Sequence, residues 1–369
     1  WLWVVGKALE LRVDAVLHAG DMFDSSRPTP LAYIKAIEGL RLLEERGVKF
    51  LVAPGNHELP RAAGVGSPVR VLERVSSNVI APQDPEKPYI VRLHNATVIV
   101  FSEWASHMLS SLDPRSTAGS EGPLVGLAHV TLCDAMSEAE GVPVQQCMRE
   151  SRRLVSNSVR QGYSYLALGD IHTPWARLSV KPPMAYPGST EYIAVDEYTR
   201  NNNRYIYLVE VDGNEVSRFE RIRIEVVRPW IVVEGDYNTV KSVIEGVKRG
   251  PGKEPILYAR VTGPIDQARR RALLSLLERL RGEGRILHYI LDVEDKSAVG
   301  ERRVVEPPRQ VSVEAILEEL VGKCGENAKS KAVRALAELI SNPEAAPRFV
   351  DELERDQELL DCLERVLRG

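Results

Sequence analysis

Histidine, cysteine and aromatic residues are scarce in this 369-residue chain, with seven histidines, four cysteines and 6% Phe, Trp and Tyr together. The cysteines (Cys133, Cys147, Cys324, Cys362) form no C-x-x-C pair and have no zinc spacing, so buried thiols are expected. Arg-rich charge and 23 prolines also suit a thermophile, in which an intracellular disulfide can persist. No charge of one sign dominates: the net charge of -4 gives no global pull towards nucleic acid, and any such contact must use local patches. No apolar run approaches a membrane span. The opening Trp1-Leu2-Trp3-Val4-Val5 is too short for a signal-peptide core and lacks a basic leader. A soluble, cytoplasmic protein is the expectation. Ser-His-Asp and Cys-His nucleophile arrangements, Walker-type phosphate loops, internal repeats and low-complexity tracts are all missing. What remains is an ordinary globular balance, 44% hydrophobic and 27% charged, long enough for two or three domains.

Against that background stand four short polar clusters: Gly20 to Asp24 (GDMFD), Gly55 to Glu58 (GNHE), Gly126 to His129 (GLAH) and Gly169 to His172 (GDIH). Each lies at the end of an apolar, strand-like run, which projects carboxylate, amide or imidazole groups from strand-end loops. Oxygen and nitrogen donors of this kind suit divalent cations. Residues 1 to about 220 alternate strand-like and helical patterns, the signature of a layered α/β domain. A helix is predicted over 31–46, followed by a strand at 48–53. Hairpins are predicted at 89–101 and 205–224, and a buried strand at 162–168. From Pro229 the order becomes β-α-β-α-β, with strands at 231–234, 256–261 and 286–293 and helices at 237–249 and 266–281. Residues 312–369 read as helices at 313–321, 327–340 and 348–367. The expected division is a domain over 1–224, a small α/β domain over 225–302, and a linker with helical tail over 303–369 that docks on a partner or on the chain's own body.

Asp21 follows a strand and a glycine, where one carboxylate can serve two cations, an oxygen to each. Asp24 can equally be a helix N-cap. Asn56 offers a neutral amide oxygen as ligand and His57 a proton donor for a leaving oxygen, against the blander readings of turn residue and surface imidazole. His129 ends a buried run and is either a ligand or a core histidine. Asp170 and His172 flank Ile171, so an extended chain points both to one face. Together these residues suggest two-metal phosphoester hydrolysis, in which cations acidify a water and neutralise phosphate charge. His18, His94, His107 and His288 receive no first-hand role, His18 lying closest to the cluster. Arg269, Arg270, Arg271, Arg279 and Arg281 form a basic stripe that either pairs with Glu278 and Glu283 in solvent or contacts phosphate.

The relay of G-D-x-F-D, G-N-H-E, a lone His and G-D-x-H resembles the calcineurin-like metallophosphoesterase superfamily. The strings VLHAGDMFD (16–24), YLALGDIH (165–172) and YPGSTE (186–191) are similar to those of the double-strand-break repair nucleases of the meiotic-recombination-eleven and SbcD family. The resemblance covers residues 1 to about 220. It implies a four-layer αββα sandwich with a small α/β capping domain and a helical C-terminal tail. It also implies two divalent ions, Mn2+ foremost, and exonuclease action from 3' to 5' on duplex DNA ends, with endonuclease action on single strands. Asp21 would bridge the ions; Asn56, His129 and Asp170 would hold one and His172 the other; His57 would be the catalytic acid. The implied partners are DNA ends, an SMC-like coiled-coil ATPase docked at the tail, and a second copy joined through helices such as 31–46. Two departures stand out. The family's opening D-x-H motif is expected before Gly20 and is not in this chain, which begins with Trp, so a missing first segment is expected. Asp170 also stands where many members carry His. The alternatives are a phosphoesterase acting on nucleotides or small phosphodiesters, and a non-catalytic repair scaffold with a decayed metal site.

Overall fold

Strands that are apolar on both faces need cover on both sides, and Thr97 to Phe101 and Leu124 to His129 are buried at every residue. The computed structural model describes residues 1–59, 66–201 and 203–293, together with Lys331, Asp356 and Glu358. The chain divides into two compact units, Trp1–Val293 and Glu294–Gly369. The helices expected in the tail lie outside the described residues.

The first unit begins with α1 (Leu2–Glu10), β1 (Ala15–His18), α2 (Pro30–Glu45), β2 (Lys49–Val52), α3 (Pro68–Val75) and β3 (Val79–Ile80). The three strands form a parallel sheet in the order β1-β2-β3. A second sheet follows from β4 (Tyr89–Arg92), β5 (Thr97–Phe101), β6 (Leu124–His129), β7 (Tyr165–Gly169), β8 (Trp175–Arg177) and β9 (Met184–Tyr186). Its order is β4-β5-β6-β7-β9-β8, parallel through β5, β6, β7 and β9 with antiparallel edges. Helices α4 (Pro114–Ala118), α5 (Cys133–Glu140) and α6 (Val144–Cys147) fall between β5 and β7 in sequence, and α7 (Val195–Arg200) follows β9.

The pleat sorts β2 residues to two cores. Phe50 and Val52 face out, where Val5, Leu40, Leu43 and Leu72 of the first three helices cover them. Leu51, with Ala53 just beyond the strand, faces in and meets Val98, Val100, Leu127 and Tyr165 of the second sheet. The opposite face of that sheet, Ile99 and Phe101 among others, is covered by Leu109, Ala118, Leu132 and Ala135. The layers therefore run helix, sheet, sheet, helix, the αββα arrangement. The predicted hairpin is β10 (Tyr205–Asp212) with β11 (Glu215–Arg223), and its Tyr207, Val209 and Phe219 pack against the inter-sheet core.

A third sheet, β12 (Trp230–Gly235), β13 (Ile256–Val261) and β14 (His288–Val293), is parallel and crossed by α8 (Tyr237–Gly246) and α9 (Gln267–Gly282). Val240, Ile244, Leu273, Leu277 and Leu280 bury the helix faces on it. The basic stripe of α9 is largely neutralised in solvent: Arg281 pairs with Glu278 at 2.8 Å, Arg279 with Glu283 at 3.9 Å and Arg269 with Asp266 at 3.8 Å. Exposed pairs of this kind contribute at most about 1 kcal/mol each.

The thiol expectation is corrected at one pair. Cys133 and Cys147 are joined in a disulfide, both buried, because α5 and α6 fold back on each other within fourteen residues. No short spacing marks such a pair in sequence.

β1 lies at the edge of its sheet with all four residues half-buried. His18 packs its ring 5.7 Å from that of Phe50, and its Nδ1 is shielded from solvent without a partner. Burial, then the neighbouring His129, push its pKa down to about 4. The unfolded chain therefore binds a proton that the folded one refuses between that value and the ordinary one of about 6.5. Stability is full above that window and falls as pH drops through it. His18→Leu is expected to remove about 2 kcal/mol of the stability lost between about pH 7.5 and about pH 5. Urea unfolding at the two pH values measures it, and equal losses in variant and parent would refute the assignment.

Candidate metal centre

The four polar clusters sit at the carboxyl ends of β1, β2, β6 and β7, and the packing of the two sheets brings these ends together. Ligand sites of open parallel sheets form at such ends, where strand-to-helix loops splay apart. Two glycines are seats for side chains of other clusters. Gly20 has φ +97°, and a Cβ there would collide with the His129 ring; a Cβ at Gly55 would collide with the Asp21 carboxylate. Asp21 (φ 54°) and Asp170 (φ 100°) hold left-handed backbone that non-glycine residues seldom adopt, a strain characteristic of functional sites.

His129, 1% exposed, is the hub. Its Nδ1 lies 2.8 Å from the Ala19 carbonyl, which can only accept, so Nδ1 carries the proton. The Nε2 lone pair of the neutral ring then faces Asn56 Oδ1 at 3.0 Å, Asp21 Oδ2 at 3.4 Å and Asp170 Oδ1 at 3.6 Å. A lone pair among three oxygen acceptors is satisfied by a cation in their midst. Two carboxylates, an amide oxygen and an imidazole nitrogen are donors that manganese, iron and zinc accept. Among the described residues no group of His, Cys, Asp and Glu side chains alone is arranged to hold a metal ion; the Asn56 amide is part of this set.

Asp170 divides its oxygens. Oδ2 accepts from the Thr131 hydroxyl and, at 2.7 Å, from Arg153 Nη1, leaving Oδ1 towards His129. Burial opposes the charged form, but His129 when its ring is protonated, with Thr131 and Arg153, outweighs it and holds the Asp170 carboxyl below its usual range. Arg153 also pairs with Glu150.

His172 is on a separate branch. Its Nδ1 lies 2.7 Å from Glu197 Oε1, and this bond raises the imidazole above its ordinary value in spite of burial. His57 donates its backbone N–H to Asp21 Oδ1 at 3.1 Å, and its Nδ1 lies 2.9 Å from the Asp24 carbonyl, which leaves Nε2 as the free ring nitrogen. The Asp24 side chain is 93% exposed, and that residue acts here through its carbonyl, not as an N-cap; Thr29 caps α2. Glu58, fully buried, accepts N–H bonds from Asp21, Met22, Phe23 and Gly55 and so ties the first cluster to the second. Burial pushes the Glu58 carboxyl up although these donors oppose it.

The arrangement thus brings together Asp21, Asn56, His129 and Asp170, with His57 joined to Asp21 and His172 held by Glu197. Sequence reading quoted Glu58 without assigning it a role and passed over Thr131, Arg153, Glu197 and Arg204. The acid after G-N-H was a signal for the first. The others act across 17 to 39 residues with no local pattern.

Residues 2–114 match the model of the calcineurin-like phosphoesterase family. Over 345 residues the chain is 27% identical to the DNA double-strand break repair protein Mre11 of Methanopyrus kandleri, covering 85% of this chain and 74% of that one. It is 26% identical over 358 residues to the Mre11 protein of Saccharolobus solfataricus, covering 93% and 87%. The Mre11 protein of Aeropyrum pernix is 29% identical over 264 residues, covering 67% of this chain and 60% of that one. Over most of its length the chain is similar to archaeal Mre11 proteins, and residues 2–114 to calcineurin-like phosphoesterases. The match to a metallophosphoesterase model implies divalent metal ions, which the donor set around His129 fits. No described helix is long and apolar enough to cross a membrane.

Proposed function

We propose that this chain is a DNA double-strand-break repair nuclease that hydrolyses phosphodiesters with divalent cations, manganese foremost. The observation that carries the reading is the His129 Nε2 lone pair facing Asn56, Asp21 and Asp170 oxygens, with His57 tethered to the same Asp21. Asp21, Asn56, His129 and Asp170 would hold one ion, and Asp21 with His172 would contribute to a second. When bound, such ions supply Lewis acidity towards a phosphodiester and make a water acidic at neutral pH.

The protein's own groups do the rest. Asp21 is divided between two tasks, Oδ1 accepting the His57 N–H and Oδ2 facing His129, so its two oxygens point in different directions. His57 holds its Nδ1 proton against the Asp24 carbonyl and presents Nε2, which in the protonated ring gives a proton to the departing 3' oxygen. Arg153 balances the second carboxylate, limiting the repulsion that an incoming phosphate meets.

The finer reading is exonuclease action from 3' to 5' on duplex ends and endonuclease action on single strands, inside the cell. A second copy would pair through α2, whose Leu31 and Ile34 are 64% and 59% exposed. An SMC-like ATPase would dock on residues 303–369. Purified protein on end-labelled duplex DNA tests the activity. Cleavage is expected with Mn2+, lost to a chelator and lost in His129→Ala. Chelator-insensitive cleavage overturns the reading, and hydrolysis confined to a small phosphodiester such as bis(p-nitrophenyl) phosphate moves it to the small-substrate alternative.

A further inference from the structure

We infer that Glu197 and Arg204 are positioning residues that grip His172 by its ring and by its carbonyl together, fixing its imidazole to ligate a cation through Nε2. The inference rests on the metal-centre reading above. A carboxylate only accepts, so the 2.7 Å approach of Glu197 Oε1 to His172 Nδ1 places the proton on Nδ1 and leaves the lone pair on Nε2. The other Glu197 oxygen accepts from Arg204 Nη2 at 2.7 Å, from the Ser189 hydroxyl at 3.2 Å and from the Ile193 N–H at 3.3 Å. Arg204 Nη1 then donates to the His172 carbonyl at 2.8 Å, closing a ring of contacts through one guanidinium.

Burial shows what this ring is for. The Arg204 and Glu197 side chains are 0% and 7% exposed, whereas the His172 side chain is 42% exposed. A buried ion pair is weak evidence for stability, because desolvation offsets its attraction. Here both members of the pair close on one histidine whose side chain is open to solvent. Carboxylate partners of this kind orient a ligating imidazole and raise its basicity. His129 is held differently, by a backbone carbonyl, so the two histidines are set by partners of different strength. The grip is braced from behind. The Arg204 guanidinium lies 4.3 Å from the Tyr192 ring centroid, Tyr192 meets Tyr198 of α7 edge-on at 5.1 Å, and Tyr198 stacks on Trp230 of β12 at 6.4 Å.

Mn2+ titration of the full chain by calorimetry, with thermal unfolding of each variant, provides the test. Glu197→Gln keeps the shape and removes the charge. It is expected to weaken Mn2+ binding at one site about 10- to 100-fold, the range seen for partners of metal-bound histidines. In a His172→Ala background the same change is expected to have less than about a twofold effect on Mn2+, since nothing remains to position. Should Glu197→Gln fail to fold, Glu197→Asp keeps the charge near Arg204 while drawing the carboxylate back from the ring, and the same weakening must appear. Unchanged Mn2+ binding in a folded Glu197 variant, or an equal loss with and without His172, overturns the inference and leaves a structural staple. Parent protein that binds no Mn2+ overturns the centre itself and this inference with it.

Discussion

Alanine in place of Glu58 is expected to destabilise the fold by about 4 kcal/mol or more, since hydrogen bonds to a charged acceptor each contribute about 1.5–3 kcal/mol. The carboxylate is fully buried and collects the N–H groups of Asp21, Met22, Phe23 and Gly55, the last at 3.0 Å. Removing it leaves four donors with no acceptor and little access to water. The Asp21 backbone is already in left-handed conformation (φ 54°), and these bonds are what hold it there. Glutamine is expected to cost about half as much, because its oxygen still accepts while its NH2 confronts other N–H groups. Urea unfolding at neutral pH gives both values. A loss below about 1 kcal/mol for Glu58→Ala would show that the loop finds another acceptor and that the proposed tie is dispensable.

His57→Ala is expected to lower DNA cleavage by about 10²- to 10⁴-fold, the usual contribution of a positioned proton donor, while leaving Mn2+ affinity within about twofold. The two effects separate because the ring is not among the donors facing His129. Its side chain is 38% exposed and bonded through Nδ1 to the Asp24 carbonyl, so the fold barely registers its loss. Asp24→Ala keeps that carbonyl and is expected to change cleavage by no more than a few-fold. Single-turnover cleavage at saturating Mn2+ measures the chemical step. Cleavage by His57→Ala within tenfold of the parent would falsify the proton-donor role, and a matching fall in Mn2+ affinity would reassign His57 to the ligands.

The sheets and the site differ in how far the sequence reveals them. Val98 to Phe101 and Leu124 to Ala128 are continuous apolar runs because both faces are covered, so the strands announced themselves. The clusters containing Asp21, Asn56, His129 and Asp170 were visible because each follows such a run, and a strand end fixes where the next side chain can go. Periodicity carries no trace of Arg153, Glu197 or Arg204, whose contacts to Asp170 and His172 span 17 to 32 residues and are met only after the sheets have packed. The same holds for Cys133 and Cys147, where a short helical reversal, not a motif, brings the sulfurs together. The tail was read as helical, but nearly all of its residues lie outside the described ones.

Of the four donors that include His129 Nε2, Asp21 and Asn56 belong to loops of the three-stranded sheet, and His129 and Asp170 belong to the six-stranded one. A bound cation would therefore act as a bolt through the hydrophobic joint between them. Occupancy and sheet docking become linked quantities, each strengthening the other by the logarithm of ligand concentration over its dissociation constant. Partial separation of the sheets would abolish the centre while every helix remained intact. Metal affinity in this protein is accordingly a gauge of how tightly its two halves are shut.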